Sequence, residues 1–214
     1  VYVHGAGRTG RDAWPSAGEA DAIFASLDFT RTMQQNVDVL EASTPPSSVI
    51  VAHSAGAVPV FLALQSHALS PTALVLVEPG LYDIARGDDA IERHIELMTR
   101  ARTLSSHGDL FGYWSIVRPL MFGGEAERTR WEAERGAAAR FEAKQPPWGF
   151  PVAASAIDDT PTLVLTGDWN GEYEAIARIL EKHGAIHRHL RGKTHRPQDH
   201  PDFEATVEGF LRNH

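Results

Sequence analysis

The 214-residue chain is 43% hydrophobic and 22% charged, the balance of an ordinary globular domain with length enough for a proper core. Its net charge of −8 argues against nonspecific attraction to nucleic acid or an anionic membrane, and no run of about 18 apolar residues is present to form a transmembrane helix. With no cysteine, disulfides, Cys-based zinc sites and a Cys nucleophile are all excluded.

Short apolar runs alternate with amphipathic stretches along the chain. Val1–Val3 reads as a first strand and runs directly into His4-Gly5-Ala6-Gly7. That opening lacks the pattern of a signal peptide, so a cytoplasmic location is the default expectation. The stretch Trp14–Asp21 is short, with room over Ser16–Asp21 for only a turn or two of helix before a second strand at Ala22–Leu27. Phe29, Met33, Val37 and Leu40 then recur at helical spacing. The third strand, Ser48–Ala52, ends in Ala52-His53-Ser54-Ala55-Gly56 and passes straight into a helix with Pro59 tolerated near its start. The fourth strand, Ala73–Val77, closes on Glu78-Pro79.

From 86 to 158 the alternation breaks. Three of the five tryptophans (Trp114, Trp131, Trp148) fall here among three helical patterns. Such an all-helical insertion fits a lid whose aromatics line a substrate pocket, or simply hold the insertion to the body. Alternation then resumes with Pro161–Thr166, a helix carrying Ile176, Ile179 and Leu180, a strand at Ile186–Leu190, and a last stripe of Phe203, Val207, Phe210 and Leu211. Most strand candidates are continuously apolar, as strands buried on both faces of a parallel sheet are. The expected fold is therefore α/β: a three-layer, mostly parallel sheet of about six strands, with a core of residues 1–85 and 159–214 and a helical lid or cap at 86–158.

The turn at Ser54 carries the chemistry. A serine between a buried strand and a helix N-terminus has its hydroxyl lifted above the sheet edge, beside free backbone N–H groups. The residues two before and two after it, Ala52 and Gly56, are small, as a strained backbone that brings strand and helix together requires. A general base is then needed on a loop that reaches Ser54, and Gly192-Lys193-Thr194-His195-Arg196-Pro197 offers His195, ahead of His200-Pro201-Asp202-Phe203 and the final helix.

Together these motifs resemble the α/β-hydrolase fold family over nearly the whole chain. Ala52-His53-Ser54-Ala55-Gly56 is similar to its nucleophile elbow, with Ala52 where glycine is usual. His4-Gly5-Ala6-Gly7 is similar to its His-Gly oxyanion loop, and the His195 segment to its Gly-x-x-His loop. The resemblance implies Ser54 as nucleophile, His195 as base, and the N–H groups of Ala6 and Ala55 as the oxyanion hole. It implies no cofactor. The family usually begins with an antiparallel hairpin, and this sequence begins on the following strand.

The acid departs from the usual pattern. Where the family places aspartate at the end of a Gly-x-x-Asp turn, this chain reads Gly167-Asp168-Trp169-Asn170. Glu78, closing a strand as in family variants that include lactonases, is the preferred acid. Asp168 is the alternative, and its bland reading is a turn or helix-cap residue. Other histidines are read as structural: His53 as the elbow's variable residue and His4 as a brace for its loop. His187 and His189 share one strand face, which permits a metal pair but lacks a third ligand, so a solvated strand face is the reading and no metal is expected.

The expected function is hydrolysis of a carboxylic ester or lactone of a small, rather apolar molecule through an acyl-enzyme. Thioester or C–C bond hydrolysis and acyl transfer on the same residues are alternatives, as is a degenerate hydrolase that binds without turnover. Expected partners are the small-molecule substrate, with no nucleic acid or membrane. A thin sheet edge covered by a second subunit would give a homodimer.

Overall fold

The computed structural model describes residues 1–18 and 22–214. Two compact units make up the chain: Val1–Arg86 with Pro146–His214, and Gly87–Gln145.

The first unit is built on six parallel strands: β1 (Tyr2–Val3), β2 (Phe24–Ala25), β3 (Val49–His53), β4 (Ala73–Val77), β5 (Thr162–Thr166) and β6 (Ile186–His189). Their order is β2-β1-β3-β4-β5-β6. β3, β4 and β5 are almost wholly buried on both faces, which is why their sequences are continuous apolar runs. β1 and β2 are only two residues long. Between them Gly10–Ala13 forms a 3-10 turn; the helical turn expected over Ser16–Asp21 falls partly on residues 19–21, outside the described residues.

Successive residues of a strand face opposite sides, so the sheet sorts its apolar residues by parity. Val51, Val75, Val77, Leu163 and Leu165 share one buried cluster with Phe203 and Phe210 of the last helix, α7 (Phe203–Leu211). The intervening residues Ile50, Leu74, Leu76 and Val164 are fully buried from the other side. Helices α1 (Met33–Ser43) and α2 (Ala57–Gln65) pack on each other, and α6 (Gly171–Lys182) packs on β5 and β6. α1 starts where Thr32 and Gln35 form a reciprocal capping box, satisfying N–H groups the helix cannot. Residues 146–158 lie in this unit: Gly149 and Phe150 donate N–H to Asp83, and Gln65 donates to the carbonyl of Pro151. Trp148 packs edge-on to Tyr82, ring centroids 5.5 Å apart.

The second unit is helical: α3 (Asp89–Ser106), α4 (Leu110–Met121) and α5 (Trp131–Glu142), with α4 packed on both others. Its aromatics bind the helices to one another. Phe111 meets Trp131 at 5.3 Å, Trp114 meets Phe122 at 5.3 Å, and Phe122 meets Phe141 at 5.4 Å. Trp114 Nε1 and Arg118 Nε both donate to Glu134 Oε2, at 2.6 and 3.0 Å, tying α4 to α5. Among the described residues no helix is long and apolar enough to cross a membrane.

Candidate active site

β3 ends at His53, and the chain turns through Ser54 before α2 begins. Ser54 is held at φ 53°, a conformation non-glycine residues adopt only at a cost of about 1–3 kcal/mol. The tightness of the turn dictates its small neighbours. A Cβ on Gly56 would stand 2.5 Å from the carbonyl oxygen of His4, and one on Gly5 would stand 2.8 Å from Ser54 Cβ. The His4–Gly7 loop therefore lies directly against the elbow at His4 and Gly5. His4 braces that loop: its Nδ1–H donates to the Gly5 carbonyl at 2.7 Å and its Nε2 accepts from Leu27 N–H at 3.0 Å.

His195 arrives on the loop between β6 and α7, behind Thr194 at φ 45°. Ser54 Oγ donates to His195 Nε2 at 3.0 Å, and His195 Nδ1–H points to Glu78 Oε2 at 3.4 Å. The imidazole is also stacked on Tyr173, centroids 5.0 Å apart and 25° from parallel.

Glu78 is the residue after β4, also at positive φ (44°), and its side chain is completely buried. Oε1 accepts the N–H of Gly167 at 2.6 Å, and Oε2 accepts Trp169 Nε1–H at 3.2 Å. Burial pushes its carboxyl above the usual range, opposed by the hydrogen bond and charge of His195 and by the donors of Gly167 and Trp169. A serine hydroxyl, an imidazole and a buried carboxylate in sequence form the arrangement in which the imidazole can take the hydroxyl proton and be stabilised as a cation.

Asp168 lies elsewhere in the same turn. It accepts from Arg191 Nε at 2.7 Å, and that hydrogen bond holds its carboxyl below the usual range. Asn170, at the position where the fold usually carries the acid, caps α6 by accepting the N–H of Glu172 at 2.8 Å.

Three residues of the site carry no signal in the sequence. His53 Nε2–H donates to the His195 carbonyl at 2.8 Å, tying the His195 loop to the strand beside the serine. Burial first, then the neighbouring His195, pushes His53 well below the usual histidine range, so it stays neutral and keeps this bond. Trp169, in the β5–α6 turn, holds Glu78, and Tyr173, in the first turn of α6, stacks on His195. No spacing rule marks any of the three, because each acts through contacts between segments far apart in the chain.

A family model described as Alpha/beta hydrolase family matches residues 1–207. The chain belongs to this family. Solved α/β-hydrolase structures share its fold at low identity. An α/β hydrolase from a Medee basin deep-sea metagenome library superposes with a TM-score of 0.66, at 14% identity over 99% of this chain and 88% of that one. MenH from S. aureus gives 0.56, also at 14% identity, over 94% and 82%. A carboxylesterase from the thaumarchaeon Nitrososphaera gargenis gives 0.52, again at 14%, over 88% and 74%. No curated protein matches the chain. Against the α/β-hydrolase pattern, the acid's usual position is the site's main departure, and the helix cap at Asn170 accounts for what now stands there.

Proposed function

We propose that this α/β hydrolase is a serine hydrolase that cleaves a carboxylic ester or lactone of a small, rather apolar molecule through an acyl-enzyme. The observation that carries the reading is the 3.0 Å bond from Ser54 Oγ to the imidazole nitrogen opposite the one facing buried Glu78. Ser54 Oγ attacks the substrate carbonyl carbon as its proton passes to His195 Nε2. Glu78 holds the ring with Nδ1 protonated and offsets the charge the ring gains. The N–H groups of Ala6 and Ala55 are our choice for the oxyanion hole, each donor being worth about 3–4 kcal/mol to such a step. His195 then returns the proton to the leaving alcohol. Water attacks the acyl-enzyme with His195 again as base, which releases the acid and restores Ser54.

Glu78 is our choice of acid over Asp168, because Glu78 faces His195 while Asp168 is engaged by Arg191. The carboxylesterase of similar fold supports the substrate class by fold likeness alone. A fluorophosphonate probe tests the nucleophile. Covalent labelling of Ser54 in the native protein, absent in Ser54→Ala, is the expected result. An unlabelled serine in folded protein would overturn the proposal. A panel of acyl-chain lengths, lactones and thioesters then fixes the substrate class.

A further inference from the structure

We propose that Glu174, His187 and His189 form a binding site for one borderline divalent transition-metal ion, of the zinc, cobalt or nickel class, at the β6 edge of the sheet. The two histidines are separated by one residue on β6 and so share a face. α6 covers part of that face: His187 is only 8% exposed, while His189 is 36% exposed. From α6, Glu174 supplies the third donor that the strand alone lacks. One ligand atom from each of the three side chains lies within 4.8 Å of the others.

The atoms already converge on one point. His189 Nε2–H donates to Glu174 Oε2 at 2.9 Å, and His187 Nε2 is 3.7 Å from the same oxygen. The two imidazole centroids are 4.5 Å apart. A tetrahedral ion with bonds of about 2.0–2.1 Å sets its ligand atoms about 3.3 Å apart, so the three side chains must draw closer on binding. A second observation points to a cation. Glu174 Oε1 is buried and accepts a hydrogen bond from no described group, a costly state for a carboxylate oxygen unless a positive charge satisfies it.

The outer contacts fit as well. Glu181 Oε2 lies 4.0 Å from His187 Nδ1, on the side of the ring away from the ion, too far for a hydrogen bond but near enough for its charge to favour a proton on Nδ1. His187 Nε2 is hydrogen-bonded to Thr166 Oγ1 at 2.7 Å, a bond the ion would replace. On binding, the ion replaces the proton on His189 Nε2, which moves to Nδ1, so no external acid or base is consumed. Two imidazoles and one carboxylate favour zinc, cobalt or nickel over magnesium or calcium, and three protein ligands leave a position for water. The ion would fasten the edge strand β6 to α6. The site is separate from Ser54, so its test does not depend on the proposed hydrolytic reading.

The test is titration of the full chain, stripped with a chelator, with zinc, cobalt and magnesium chlorides by calorimetry, alongside the visible absorption of the cobalt form. The expected result is one zinc per chain with a Kd at or below about 10 µM, cobalt bands of a four-coordinate N/O site, and no magnesium binding. Glu174→Gln and His189→Ala, the more exposed positions, should each weaken zinc at least about tenfold. Should His187→Ala fail to fold, these two variants carry the result. Binding weaker than about 100 µM, or affinity unchanged in both variants because the ion sits on other histidines, would overturn the proposal.

Discussion

Ser54 and Glu78 are both non-glycine residues at positive φ, and both lie at the ends of neighbouring central strands. Local strain at these two positions aims their side chains at one histidine delivered from 117 residues beyond Glu78. Replacing Glu78 by Gln should lower kcat/KM on a p-nitrophenyl ester about 10⁴-fold, whereas Asp168→Asn should leave it within about twofold. The opposite ranking would make Asp168 the acid. The same Glu78→Gln variant should be the more stable protein at neutral pH. Burial raises the native carboxyl above its unfolded value of 4.5, so the native state holds its proton longer and wild-type stability falls as pH rises through the native pKa. Gln does not titrate, and urea midpoints of the two proteins should converge below about pH 4.5 and separate above it. Trp169→Phe removes one donor to the charged Glu78, a bond worth about 1.5 kcal/mol. Its expected effect is a kcat about tenfold lower at nearly constant KM.

At the scale of the element, the turn between β5 and α6 has traded one role for another. Asn170 occupies the usual position of the acid and spends its side chain on the N-terminus of α6. The acid we propose, Glu78, lies one strand inward at the end of β4, where Gly167 and Trp169 of the same turn grip it. Asn170→Asp preserves a good cap, and it should not restore activity to Glu78→Gln. Asn170→Ala should cost about 1 kcal/mol of stability by denaturant melting. Recovery of activity in the Glu78→Gln/Asn170→Asp double variant would show that the turn position can still serve the base. The motif at Ser54, the Glu78 strand end and the His195 loop were each legible in the sequence, because local backbone geometry restricts which residues fit there. The grip of Trp169 and Tyr173 was not, since it depends on how α6 lies across β5 and β6.

At the scale of the whole molecule, the parallel sheet is the frame on which the strand ends converge, and its centre tolerates little change. Leu76, fully buried in β4, should cost about 2–5 kcal/mol when replaced by Ala, read as a lowered melting temperature with activity lost in parallel. Acid stability should also report on His53. Burial keeps it neutral in the native state, while the unfolded residue takes up a proton near 6.5, so stability rises with pH through that region and is lost as pH falls below it. His53→Gln retains a donor for the His195 carbonyl, and it should flatten the slope of stability between pH 5 and 6.5. An unchanged slope would place the titration elsewhere. By itself, the sequence determined the strand order of appearance, the buried character of β3 to β5, the elbow, and which residues could serve as nucleophile, base and acid. These follow from periodicity and from the few side chains a strained turn admits. Only the tertiary structure decided that Glu78 and not Asp168 faces His195, that His53 anchors the His195 loop, and that Glu174 joins His187 and His189. Each of these pairs segments remote in the chain, and it is their packing that sets the distances on which the proposed proton transfer and metal binding depend.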